Sequence, residues 1–288
     1  MSQSLLAIKN RIQTVESIKK ITNAMKLISS SRFSKLKTIY DSNVEYLVST
    51  KKSMELCLFY TDLSRLKLPT CMTSNEGERD LYILVSSTLG LSGAYYHNIE
   101  KLASKYIKEK DDVIFIGEKG YRHFKNKVHK YYDEFLNLGS NLNFDEVNAF
   151  RHILDSYYRK EKYNAIYIIY STLNSHHEVT PIIEKLLPLE VTKNSKNPAE
   201  LEPIFENSPN QVADLSVPYY LDALIYNYLL ESKMCEEFSR KNSMENATSS
   251  ATKLIDELTL TYNKIRQQKI TQEITEIISG SNDNLDLF

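Results

Sequence analysis

The chain has 288 residues, 42% of them hydrophobic, enough for one large domain or two small ones around a sizeable core. A net charge of −1 excludes a wholesale nucleic-acid binder, and the lack of any run of about 20 apolar residues excludes a helical membrane span. The three cysteines, Cys57, Cys71 and Cys235, have no metal-ligand spacing and read as free thiols of a reducing compartment, packed as small apolar residues.

The first element is a long helix. No Gly or Pro occurs from Met1 to Leu68, and Leu5, Ile8, Ile12 and Val15 recur at spacings of three and four. Ile18, Ile21, Met25 and Ile28 continue the stripe, and Leu36, Ile39 and Leu47 extend it. Residues 1–40 carry eight basic side chains against one acid, Glu16, so this helix is cationic and the rest of the chain is acidic. A basic, acid-poor start also describes a transit peptide, but the helical pattern runs unbroken past residue 40, so no presequence is expected.

The middle alternates. The apolar runs at 80–87, 112–120 and 163–172 are rich in Ile, Val and Tyr and end at turn residues. Segments of helical period lie between them, at 94–110 and 144–162. The alternation predicts a small parallel α/β layer. Residues 178–189 add an edge strand, since Pro181 and Pro188 disfavour a central place. Residues 192–218, with four prolines, read as a loop into the last helix.

That helix has no Gly or Pro from Tyr219 to Ser279. Its stripe passes through Ala247, Ala251, Leu254, Leu258, Tyr262 and Ile265, then Ile270, Ile274 and Ile277, with Gly280 as its stop signal. About 60 helical residues make roughly 90 Å, against about 40 Å for a compact domain of this length. Each stripe needs a partner, and the simplest is the other end of the chain. The expected fold is α/β: an antiparallel two-helix coiled coil of the N- and C-terminal helices with a small central Rossmann-like parallel domain. The boundaries are a helical arm over 1–68, a foot domain over 69–210 and a second arm over 211–288.

Catalytic constellations are weak. The turn after the first strand has Gly90 and Gly93 around Leu91 and Ser92, but the residues that follow are Ala94, Tyr95 and Tyr96 rather than the Lys and Ser/Thr of a P-loop. The two glycines read as backbone devices for a sharp turn. His176, His177 and Glu178 read as a solvated loop rather than a metal site, and the remaining histidines are scattered. The acid pairs Asp111–Asp112 and Glu236–Glu237 read as solvated faces. No catalytic residue, metal or cofactor is expected. The basic stripe of the first helix fits nucleic acid, acidic lipid, an acidic protein or a solvated coiled-coil face, and no aromatic interleaving marks a single-strand platform. Lys264, Arg266, Gln267, Gln268 and Lys269 place polar groups nearly all round the last helix, as in a segment enclosed by something polar.

Together, residues 8–37, residues 239–280 and the turn "SSTLGLSGA" resemble the γ subunit of F-type ATP synthases, with weaker similarity over "LLPL" and 217–244. The resemblance implies a non-catalytic rotor shaft inside a ring of three α and three β subunits, with ATP chemistry on β. It implies torque transmission to a membrane ring, and asymmetry imposed on the three β sites through differential contact. It places Arg266 and Gln267 against a β loop and Met25 beside the acidic β lever, with Lys26 and Arg32 as nearby cations. Ile274 and Ile277 belong in an apolar sleeve. Ser29, Ser30 and Ser31 fall where small residues let the helices approach. Gly90, Leu91 and Gly93 mark the foot turn, which faces an ε-type subunit and the c-ring.

Departures lie in the foot. Thr88, Ser92 and Ala94 replace the family's Asp, Cys and second Gly, and Lys241 stands where Met is usual. They leave open an F1-like paralogue wired to another machine. The chain carries no Cys-containing insert of the plastid kind. The implied location is peripheral on the cytoplasmic face of a bacterial plasma membrane, or on the matrix face of the mitochondrial inner membrane. The rivals are a coiled-coil adaptor and a small α/β nucleotide-binding protein.

Overall fold

The computed structural model describes residues 2–60, 70–139, 142–174, 178–189, 204–205 and 208–283. His176, His177, Pro198 and Pro203 lie outside the described residues. Helix α1 spans Ser2–Tyr60 and helix α5 spans Pro209–Asp283. Between them come β1 (Leu81–Val85), α2 (Tyr95–Tyr106), β2 (Asp112–Ile116), α3 (Glu118–Phe124), β3 (Lys130–Tyr132), α4 (Phe144–Lys160), β4 (Ile166–Leu173) and β5 (Val179–Leu187). The chain forms two compact units, residues 1–29 with 241–288, and residues 30–240.

In the first unit the two long helices pair antiparallel. Thr22 Oγ1 lies 2.8 Å from Thr248 Oγ1, and Lys26 Nζ lies 4.0 Å from Glu245. The seam on α1 is Leu5, Ile8, Ile12, Val15, Lys19, Thr22, Lys26 and Ser29, all half-buried or buried. That is an alternation of three and four, the heptad period that keeps one face turned to a partner. It corrects the stripe read from the sequence, which slipped one residue at Ile18. Ile18, Ile21 and Ile28 face outward, exposed by 48%, 60% and 54%. On α5 the seam residues Ala247, Ala251, Leu254, Leu258, Tyr262 and Ile265 are covered as read.

In the second unit the same spacing continues through Phe33, Leu36, Tyr40, Asn43 and Leu47. Phe33 meets the Phe238 ring at 5.4 Å, and Asn43 Nδ2 donates to Asn227 Oδ1 and to the Ala223 carbonyl. The sheet order is β3-β2-β1-β4-β5. Four strands are parallel, and β5 pairs antiparallel with β4 at the edge, where Pro181 and Pro188 pointed. β1 shows why both faces are covered: Leu81, Ile83 and Val85 enter one core with α4 and the end of α1, while Tyr82 and Leu84 enter the other with α2 and α3.

The loop expected up to residue 218 is helical from Pro209. Ser208 Oγ accepts from the Gln211 amide, and Pro209 occupies the first helical position, where its missing N–H costs nothing. Pro218 removes one internal hydrogen bond, to the exposed Asp214. Burial of Val217 and Leu221 beside it offsets that loss. Gly280 does not stop the helix, which runs on to Asp283.

Candidate functional site

The turn after β1 is built on hydroxyl and carbonyl bonds to the neighbouring strand. Ser86 Oγ accepts from the Gly120 amide and reaches the Ile116 and Gly117 carbonyls at 3.2 and 3.0 Å. Positive φ falls at Leu91 (68°) and Gly93 (59°). Gly90 shows no such angle, and a Cβ there would meet only Lys119 Nζ at 4.0 Å. The sharp turn therefore belongs to Leu91 and Gly93, not to Gly90. Gly117 is a glycine that geometry does require, with φ 93° and a Cβ position 2.1 Å from the Ser86 carbonyl oxygen.

Open α/β sheets bind ligands outside the strand carboxyl ends where the strand order reverses, here between β1 and β4. That crevice is filled by α5. Ser232 is fully buried, its Oγ lies 2.9 Å from Tyr95 Oη, and it accepts from the Ser171 amide at 3.4 Å. Burial lifts the Tyr95 hydroxyl well above its ordinary range.

One turn further along α5 lies a buried ionic ladder. Glu236 pairs with Lys233 at 2.9 Å and with Arg240, and Arg240 also approaches Glu237 at 2.8 Å. Arg240 Nε reaches the Gly90 carbonyl at 3.4 Å, which ties the turn to α5. Burial opposes the Arg240 charge, but Glu236 and Glu237 outweigh it and raise its pKa. Arg32 adds α1 to the ladder, with Nη1 3.6 Å from Glu237. The acid pairs expected on solvated faces are thus buried. Glu236 and Glu237 sit in this ladder, while Asp112 accepts from Tyr163 Oη at 2.6 Å and lies 2.9 Å from His129 Nδ1. Asp111 accepts from the Lys108 and Asp80 amides. Glu237, Asp112 and Asp111 have partners far along the chain in Arg32, Tyr163 and Asp80, while Glu236 is paired within its own helix.

The remaining residues singled out from the sequence lie along the long helices. Met25 and Lys26 are half-buried, and Lys26 lies beside Glu245. Arg266 and Gln267 are exposed, and Ile274 and Ile277 are exposed by 52% and 72%. Ile270, Ile274, Ile277 and Ile278 form an uncovered apolar strip at helical spacing. Leu91 is exposed beside Gly90 and Gly93. The residues missed by sequence reasoning are Ser232, Lys233 and Arg240.

Among the described residues no group of three His, Cys, Asp or Glu side chains could hold a metal, and no helix is long and apolar enough to cross a membrane. All three cysteines are buried and none is in a disulfide, and burial pushes the Cys71 thiol up to about 12.

Comparison with known proteins agrees with this architecture. The sequence pattern of the ATP synthase family matches residues 4–282. The ATP synthase gamma chain of Alkaliphilus metalliredigens is 32% identical over 98% of this chain and 99% of its own length. That of Caldanaerobacter subterraneus is 35% identical over 94% and 97%. Among solved structures, the rotor of the Euglena gracilis mitochondrial ATP synthase has the same fold, with a TM-score of 0.64 at 14% identity, over 94% of this chain and 100% of that one. A chain with two long terminal helices and a plugged α/β sheet between them in sequence, matched over nearly its whole length by these relatives, belongs to the ATP synthase gamma chain family, the non-catalytic central-stalk rotor subunits of F-type ATP synthases.

Proposed function

We propose that this chain transmits torque between an α3β3 catalytic hexamer and a membrane c-ring, and that its asymmetric faces hold the three β sites in different states. The observation that carries this reading is the uncovered end of α5. Arg266 and Gln267 present a fork donor and an amide, and Ile270, Ile274 and Ile277 follow without an apolar cover in the described residues. A bare strip of this kind suits an enclosing sleeve. On α1, the outward Ile18, Ile21 and Ile28 beside Lys26 and Arg32 suit a partner that is apolar with acidic groups.

In this reading residues 1–68 and 211–288 are the shaft and residues 69–210 the foot. The foot turn at Gly90, Leu91 and Gly93 lies on the side of an ε-type subunit and the ring. The complex sits peripherally on the cytoplasmic face of a bacterial plasma membrane. Each contact biases a β subunit only by favouring one of its states.

The test is co-purification. A tagged chain is expected to bring down a hexameric ATPase, a small foot subunit and a c-ring. Hydrolysis by the hexamer should change on adding the chain. A chain that neither binds such a hexamer nor alters its turnover overturns the reading.

A further inference from the structure

Charge is spread unevenly through the second unit. Residues 95–132, which carry α2, β2, α3 and β3, hold nine Lys and Arg against five acids, while residues 133–240 hold nine against seventeen. Core packing fixes where the cations go. Tyr95, Ile99 and Ala103 of α2 and Phe124 of α3 turn into the core under the sheet. Lys101 and Lys105 therefore stand outward one turn apart, with Lys108 just past the helix end. Contacts join the two helices into one surface: His123 Nδ1 lies 3.1 Å from Glu100 of α2, and Lys127 Nζ lies 2.8 Å from His123 Nε2.

Little on this face neutralises it. Asp111 and Asp112 are buried. Glu100 faces His123 and His97, and Glu118 holds Arg122 at 2.6 Å, which leaves Glu109 as the remaining acid of the stretch. Lys101, Lys105, Lys108, Lys125 and Lys127 pair with no acid among the described residues. A one-sided field of this kind calls for an anionic partner.

Three classes of partner carry such charge, and the side chains choose among them. Carboxylates and phosphates of fixed geometry are read by arginine forks. Here the unmatched cations are all lysines, and the face's arginine is already held by Glu118. Lysines are point charges on flexible stems, suited to a diffuse anionic surface. Single-stranded nucleic acid stacks its bases on open ring faces. On this face ammonium groups already cover rings, with Lys105 5.5 Å from the Tyr106 ring centre, Lys125 5.2 Å from Tyr121 and Lys127 5.8 Å from Phe124. Tyr106 and Tyr131 are nonetheless 38% and 42% exposed. Tyrosines among long lysine stems match the membrane–water interface, where the ring lies at headgroup level and the ammonium meets lipid phosphate.

We propose that the α2–α3 face docks on an acidic membrane surface, with Lys101, Lys105, Lys108 and Lys127 over lipid phosphates and Tyr106 and Tyr131 at headgroup depth. The proposal does not rest on the rotor reading, since all of these residues belong to one unit of the chain and the test needs no hexamer.

The experiment is sedimentation of the full chain with vesicles of phosphatidylcholine, with and without an equal part of phosphatidylglycerol. Binding to the mixed vesicles is expected to be at least about tenfold tighter and to weaken as salt is added. A near-surface lysine contributes about fivefold, so replacing Lys101, Lys105, Lys108 and Lys127 together with Gln should weaken binding at least about a hundredfold. The same replacement at Lys9, Arg11, Lys20 and Lys37 of α1 removes equal charge and should weaken it less than about fivefold. All of these side chains are exposed, so both variants keep the fold, and unchanged melting temperatures check this. Equal losses in the two variants would assign binding to bulk charge and overturn the proposal, as would equal binding to both kinds of vesicle. The chain has no tryptophan, so Tyr106→Trp supplies a single reporter. Its emission should shift to the blue on mixed vesicles, and no shift overturns the docking geometry. An RNA oligonucleotide and polyglutamate, at equal charge, should bind more weakly; equal or tighter binding of either that is lost in the α2–α3 variant overturns the choice of a membrane.

Discussion

Tyr95 Oη and Ser232 Oγ, 137 residues apart in sequence, lie 2.9 Å apart at the point where the sheet order reverses. The hydroxyl pair closes the crevice in which open α/β sheets take ligands, and makes α5 a structural member of the sheet domain. Ser232→Leu forces methylenes into a filled site and should destabilise the chain by about 1–3 kcal/mol. Urea denaturation measures this. A neutral effect would mean that the crevice has room and is not plugged.

Two glycines near this pair should respond in opposite ways. Gly117→Ala sets a Cβ 2.1 Å from the Ser86 carbonyl oxygen at φ 93°. It should cost more than about 1 kcal/mol, since the backbone angle and the contact both oppose it. Gly90→Ala meets open space, and its effect should stay within about 0.5 kcal/mol. Thermal melts of the two variants side by side decide the matter, and equal losses would place a constraint at Gly90 that the geometry lacks.

The exposed polar pair on α5 should matter to assembly and not to folding. Arg266→Ala removes a charged donor that has no ion pair among the described residues. Affinity for the α3β3 hexamer should fall by about tenfold or more, as for loss of one charged hydrogen bond. Stability of the isolated chain should stay within about 0.5 kcal/mol. Sedimentation with the hexamer and a parallel melt separate the two effects.

Glu231 should make stability depend on pH. Burial raises its carboxyl above the ordinary 4.5, against hydrogen bonds from Thr172, Tyr40 and the Leu173 amide. A raised folded pKa means that the folded chain binds the proton more tightly. The resulting stability is fully present below pH 4.5 and is lost as pH rises through the folded value. Glu231→Gln keeps an acceptor and removes the buried charge, so its stability relative to the parent should be more favourable at pH 7 than at pH 4. Denaturant midpoints at the two pH values test this, and an equal difference at both contradicts it.

The sequence carried the architecture because its signals were long. Sixty residues free of Gly and Pro, and three Ile/Val/Tyr runs separated by helical segments, leave few alternatives. Short elements escaped: β3 has three residues and α3 seven, too few for a period to show. The seam of α1 slipped because Ile18, Ile21 and Ile28 are more apolar than Lys19, Thr22 and Ser29, which the heptad actually buries. Apolarity locates a face only when both faces compete for the same burial, and here the outward isoleucines have no cover in the described chain. The acids of the ladder were misread for a related reason, since their cationic partners lie three or four residues away or on another helix.

The three buried thiols also decide how the molecule can be handled. All three are buried out of reach of a bulky reagent, and burial also raises each thiol, Cys71 to about 12. A maleimide dye will therefore pass over the native chain and attach only where a new cysteine is placed on the surface. Thr261, exposed on α5, is one such place. A fluorophore there can be followed in single molecules without first removing a native sulfur from the core.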